Sequence, residues 1–192
     1  LAGPGVLTTL TLAPLVIALF YSAKFNAAVE VLRWICLGMT LRVVAWPMGF
    51  IVLAKGRQKI FFWVEVAATL VHVGLAWVCV THFGVTGAGA AFFGLYCWHG
   101  LLIYLITRRL FGFRWSAANR RIGQLFLPLI GMVFCGFYLL PFWAATAIGV
   151  MAVLSSCIYS VRVLLKLVSA SGIPRPLRRL LVWLRLAPSN IL

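Results

Sequence analysis

The stretch Ile60-Phe61-Phe62-Trp63-Val64-Glu65-Val66-Ala67-Ala68-Thr69-Leu70-Val71-His72-Val73-Gly74-Leu75-Ala76-Trp77-Val78-Cys79-Val80 decides the fold class. It is apolar almost throughout and long enough as a helix to cross a hydrocarbon layer, which takes about 20 residues. It follows the basic turn Lys55-Gly56-Arg57-Gln58-Lys59 and is itself followed by the nearly uncharged Thr81–Thr86. Apolar run, basic turn, apolar run, neutral turn is the pattern of helices threading a bilayer.

The same pattern recurs along the chain. Cut by hydropathy, the sequence gives six spans: Val6–Tyr21, Val29–Ala54, Ile60–Val80, Gly87–Thr107, Ile122–Leu140 and Thr146–Leu167. The 192 residues are 64% hydrophobic and 10% charged, and their mean hydropathy is +1.09. An ordinary soluble domain carries about 25% charged residues, so a globular soluble enzyme and a disordered tail are both excluded. The runs are continuous and lack the ten-residue alternation of a membrane barrel. The expected fold is an all-α membrane protein, a bundle of about six transmembrane helices with a further amphipathic helix at its C-terminal end.

Charge orients this bundle. There are 17 Lys and Arg against two Glu and no Asp. The loop from Arg108 to Arg121 holds five arginines, whereas Leu140–Ala145 holds no ionisable group. Basic loops alternating with neutral ones follow the positive-inside rule, which places both chain ends in the cytoplasm. The net charge of +15 therefore points to anionic inner-leaflet lipid as partner and not to nucleic acid. In the tail, Arg175, Arg178, Arg179 and Arg185 fall on one helical arc, with Leu177, Leu180, Leu181 and Leu184 opposite. That is the pattern of a helix lying on the inner leaflet. The chain begins at Leu1, already leading into an apolar run; it reads as the C-terminal part of a longer membrane protein, a processed mature chain being the alternative.

Ionisable groups at bilayer depth are costly and mark candidate sites. Glu30 and Arg33, three residues apart near one end of the second span, are expected to pair or snorkel. Arg42 lies twelve residues from Ala54, about 18 Å along a helix and so near mid-membrane. Gly38, Ala45 and Gly49 share its face and leave it room. On the third span, Glu65, Thr69, His72, Ala76 and Cys79 recur on one helical stripe. Antiparallel hairpins bring Arg42, His72 and Tyr96 to a common depth, about one turn from His99. Glu65 lies nearer the cytoplasm, where it either joins this polar patch or neutralises Lys59 or Arg57. Candidate substrate-binding residues are thus Arg42, His72, Tyr96, His99 and Glu65. His72 and His99 also admit a plain helix–helix hydrogen-bonding role.

The fifth and sixth spans hold no ionisable residue before Arg162 and read as scaffold, with kinks expected at Pro47 and Pro128. Cys36, Cys79, Cys97, Cys135 and Cys157 lie in apolar stretches without CxxC spacing, so they suit a packed interior and neither a disulfide nor a metal framework. The motifs of zinc proteases, serine hydrolases and phosphate-loop enzymes are missing; no enzyme, cofactor or metal is expected. A deep guanidinium short of carboxylates is stabilised by an anion, ideally a phosphate.

The residues also resemble a family. Leu12-Ala13-Pro14-Leu15-Val16-Ile17 with Phe20-Tyr21-Ser22-Ala23-Lys24-Phe25, the continuation Ala28–Gly49, the turn Leu53-Ala54-Lys55-Gly56-Arg57 and the turn Phe83-Gly84-Val85-Thr86-Gly87-Ala88-Gly89-Ala90-Ala91 are similar to polysaccharide (O-antigen type) flippases. These belong to the multidrug/oligosaccharidyl-lipid/polysaccharide exporter superfamily, and the likeness covers residues 1–115. It implies half of a two-lobed transporter that turns lipid-linked oligosaccharide, carried on undecaprenyl pyrophosphate, across the cytoplasmic membrane. The N-terminal lobe would then be a missing partner. On this reading residues 1–115 are four helices of the C-terminal lobe, 116–170 a scaffold hairpin and 171–192 the basic tail. An ion-coupled multidrug antiporter of the same superfamily and a membrane anchor for glycosyltransferases are the alternatives.

Overall fold

The computed structural model describes residues 2–21, 25 and 27–167. Every element among them is helical: α1 (Ala2–Thr11), α2 (Ala13–Phe20), α3 (Ala27–Ala54), α4 (Gln58–Phe83), α5 (Thr86–Phe111), α6 (Ala117–Leu139) and α7 (Phe142–Leu167). Five of these, α3 to α7, are long and apolar enough to cross a membrane, and α1 with α2 makes a sixth segment. The expected amphipathic helix at 173–186 lies outside the described residues.

The first segment departs from expectation. Val6–Tyr21 reads as one span, but the helix breaks at Leu12 and bends by 75° between α1 and α2. Pro14, at the start of α2, lacks an N–H and its ring opposes the carbonyl four residues back, so the helix cannot run on straight. Pro47 and Pro128 behave differently: α3 and α6 continue through them as single helices.

Turns are set by local chemistry. Gly84 closes α4 at φ 61°, donating its N–H to the Val80 carbonyl at 2.9 Å; a side chain is disfavoured at that φ. Gly112 ends α5 in the left-handed region, a common helix terminator. Ser116 caps α6, its hydroxyl accepting the Asn119 N–H at 3.2 Å.

Between helices surrounded by lipid, association rests on close packing and small residues, since the surroundings are as apolar as leucine. Accordingly α3 packs most extensively against α5, and α4 lies mainly on α5. A Cβ on Gly89 of α5 would fall 2.8 Å from the Val31 carbonyl oxygen of α3. One on Gly38 would fall 2.5 Å from the Phe92 ring. Glycine at these two positions brings the backbones together. Two apolar clusters result. One joins α3, α4 and α5 through Ala45, Met48, Val52, Val64 and Ile103. The other joins α1, α3, α6 and α7, with Leu7, Leu10, Cys36, Ile130, Val133 and Ala152 among its members.

The pairing expected of Glu30 with Arg33 does not form. Glu30 Oε2 accepts a hydrogen bond from the Thr86 hydroxyl at 3.2 Å. The buried Arg33 guanidinium sits over the Phe137 ring, 3.8 Å from its centroid. Sequence neighbours three apart share a helix face, but here both side chains found better partners on α5 and α6. The contact with Phe137 ties α3 to α6 by a cation–π interaction.

Candidate functional site

Helical periodicity builds a cavity of about 340 Å³ between α3, α4 and α5. From α3 come Arg42, Ala45, Trp46, Gly49 and Phe50, with Arg42, Ala45, Trp46 and Gly49 at the i, i+3, i+4, i+7 positions of one face. From α4 come Phe61, Glu65, Ala68, Thr69, His72 and Val73, and from α5 Leu95, Tyr96 and His99. All five residues singled out in the sequence therefore line one space. The rest of each anticipated stripe divides: Ala45 and Gly49 face the cavity, whereas Gly38 serves the α3–α5 contact. Ala76 and Cys79 on α4 do not line it.

Arg42 is half-buried. Its guanidinium carbon lies 5.6 Å from the Trp46 ring centroid and 5.7 Å from that of Tyr96. Both fall inside the range of cation–π attraction. Among the described residues no carboxylate lies within 4 Å of it: Glu65 lines the same cavity but lies against His99, and Glu30 accepts from Thr86. Arg42 is thus a cavity cation held by aromatic faces and left without an acid.

Glu65 answers the question posed by its position. It does not neutralise Lys59 or Arg57; its Oε1 lies 3.5 Å from His99 Nε2. The two side chains are in contact, but the geometry falls short of a hydrogen bond, and neither ring nitrogen of His99 has a hydrogen-bond partner. The His99 side chain is only 12% exposed, against 51% for Glu65. Thr69, between Glu65 and His72 on α4, turns its hydroxyl back to the Glu65 carbonyl at 2.9 Å.

Aromatic rings connect the polar groups. The Phe92 ring stands 6.2 Å from His72 and 4.9 Å from Tyr96, and Tyr96 stands 6.0 Å from His99, all edge-to-face. Trp46, Phe50 and Phe61 were not individually anticipated as cavity residues. The signal was present, since Trp46 lies four residues after Arg42 and Phe61 four before Glu65, but aromatic residues at helical spacing equally suit lipid contact.

A second, larger groove of about 480 Å³ opens between α1, α3 and α6. Its walls are apolar, with Asn119, Arg120 and Gln124 contributing its longer polar side chains. Among the described residues, cation, carboxylate and imidazoles converge only in the Arg42 cavity. Comparison of the chain with protein-family models, with curated proteins and with solved structures gives no match.

Proposed function

We propose that the chain is the C-terminal lobe of a transporter that flips undecaprenyl pyrophosphate-linked oligosaccharide across the bacterial cytoplasmic membrane for surface polysaccharide synthesis. The observation that carries this reading is Arg42, a cation inside a membrane-depth cavity with no carboxylate beside it. Leaving such a group toward lipid costs about 2.5–3.5 kcal/mol on insertion scales. A pyrophosphate instead offers oxygens that a guanidinium binds in bidentate fashion. His72 and Tyr96 line the same space; His72 adds a donor to the phosphate, and the Tyr96 hydroxyl serves the neighbouring sugar.

Transport in this scheme is alternating access, the two lobes rocking as rigid bodies around the cationic cavity. The basic turns between α3 and α4 and between α5 and α6 face the cytoplasm, as the positive-inside rule requires. Both chain ends lie on that side, against anionic inner-leaflet lipid. The resemblance over residues 1–115 supports the substrate class, and the wall of three helices supports the lobe.

The test is Arg42→Gln, introduced into the host's own copy of the protein. Losing one charge-assisted contact of about 1.5–3 kcal/mol lowers substrate affinity by about 10- to 150-fold, so surface polysaccharide falls while protein abundance stays normal. Unchanged polysaccharide at normal abundance overturns the proposal. One observation favours a second reading, an ion-coupled antiporter: Glu65 shares the cavity and supplies an acid for a coupling cation. Loss of drug efflux in Glu65→Gln, with polysaccharide intact, selects that reading.

A further inference from the structure

The Arg42 cavity is larger than an anion requires, and its polar groups fall in two layers. Arg42, His72 and Tyr96 form one. Glu65 and His99 form the other, with Glu65 seven residues from His72 on α4, about 10 Å along the helix axis, and His99 three residues from Tyr96 on α5, about 4.5 Å. The second layer also carries unmet demand: His99 is nearly enclosed, yet both its ring nitrogens lack hydrogen-bond partners. Its neighbour Glu65 is half exposed to the cavity and, when ionised, only accepts hydrogen bonds. Buried polar groups in native structures almost always have a partner, from protein or from ordered water, so these positions are open to a hydrogen-bonding guest.

Resting on the flippase reading above, we infer that Glu65 and His99 form a carbohydrate subsite that reads the hydroxyls of the sugar next to the phosphate. A sugar hydroxyl donates to the Glu65 carboxylate, and another exchanges hydrogen bonds with the imidazole, whose neutral form offers one donor and one acceptor. The C–H face of the ring packs against Trp46 and Phe61, which line the same cavity. A bound metal cation suits the layer poorly. It would want several oxygen ligands, whereas Glu65 is the single carboxylate of the layer and no group of three or more His, Cys, Asp or Glu side chains gathers among the described residues. Specificity is the expected consequence, because a site that hydrogen-bonds a hydroxyl rejects ligands lacking it.

The test is calorimetric titration of the full chain in detergent with two probes, inorganic phosphate and N-acetylglucosamine 1-phosphate. In the wild type the glycosyl phosphate binds about tenfold tighter or more, as hydrogen bonds to a charged group predict. Glu65→Ala and His99→Ala each lower that ratio while inorganic phosphate still binds, which also shows that both variants fold. His99→Gln, which keeps donor and acceptor capacity, retains part of the ratio. A wild-type ratio near one, or a ratio undiminished in both alanine variants, overturns the subsite. The anion reading is judged separately: it fails if Arg42→Gln leaves phosphate affinity unchanged. Binding of neither probe to the wild type overturns both. Sodium-dependent heat that vanishes in Glu65→Ala, with the sugar ratio intact, replaces the subsite with a cation site.

Discussion

The guanidinium of Arg42 on α3 faces the ring of Tyr96 on α5 at 5.7 Å, across the most extensive helix contact in the molecule. This couples the cavity cation to the packing that forms the cavity. Cation–π attraction is about 0.5–2 kcal/mol, the upper end applying where water is excluded. Tyr96→Phe keeps the ring and is expected to leave phosphate affinity within about twofold. Tyr96→Ala lowers it by about 2- to 30-fold. Titration with inorganic phosphate measures both, and equal losses in the two variants would assign the effect to the hydroxyl and not to the ring.

Gly38 and Gly89 lie at the same contact but predict different consequences. A Cβ on Gly89 meets backbone, 2.8 Å from the Val31 oxygen, so α3 and α5 must separate. Gly89→Ala is expected to cost about 1–3 kcal/mol, read as a lowered thermal midpoint in detergent. A Cβ on Gly38 meets chiefly the Phe92 ring, which can turn, with the Phe93 Cα farther off at 3.3 Å. Phe92 packs against both His72 and Tyr96, so Gly38→Ala is expected to perturb phosphate binding more than stability. A variant that melts early but binds normally refutes the coupling through Phe92.

Orientation is tested by labelling. In a background with the five native cysteines replaced by alanine, Val85→Cys and Arg57→Cys place single thiols at opposite ends of α4. Val85 is 66% exposed at the turn after α4, and Arg57 is the N-cap of α4 at the basic turn. An impermeant maleimide is expected to label Val85→Cys in intact cells and Arg57→Cys only after the membrane is opened. The reverse pattern inverts the proposed topology.

The candidate site was legible where it depended on helical spacing and depth. Counting from the basic turn placed Arg42 and His72 together, and the next hairpin added Tyr96 and His99. Lateral choices were not legible. Glu30 and Arg33 are neighbours on one helix, yet each engages a different helix, through Thr86 and Phe137. Glu65 had basic neighbours in sequence but meets His99, more than thirty positions away. The break at Leu12 had its cause in view, Pro14, whereas Pro47 and Pro128 sit in helices that continue. Each of these prolines removes one donor, but only at Pro14 do two separate helices result.

By itself the sequence determined the helical class, five of the long apolar segments with their order, and the charge difference between the connecting turns. Those follow from hydropathy, helical period and charge counts, which are properties of the chain taken locally. Only the tertiary structure decided which side chains meet, because partner choice in a bundle depends on how closely helices approach. That approach is set by a few glycines and rings whose contacts are distant in sequence, and it leaves Arg42 without an acid and Glu65 beside His99.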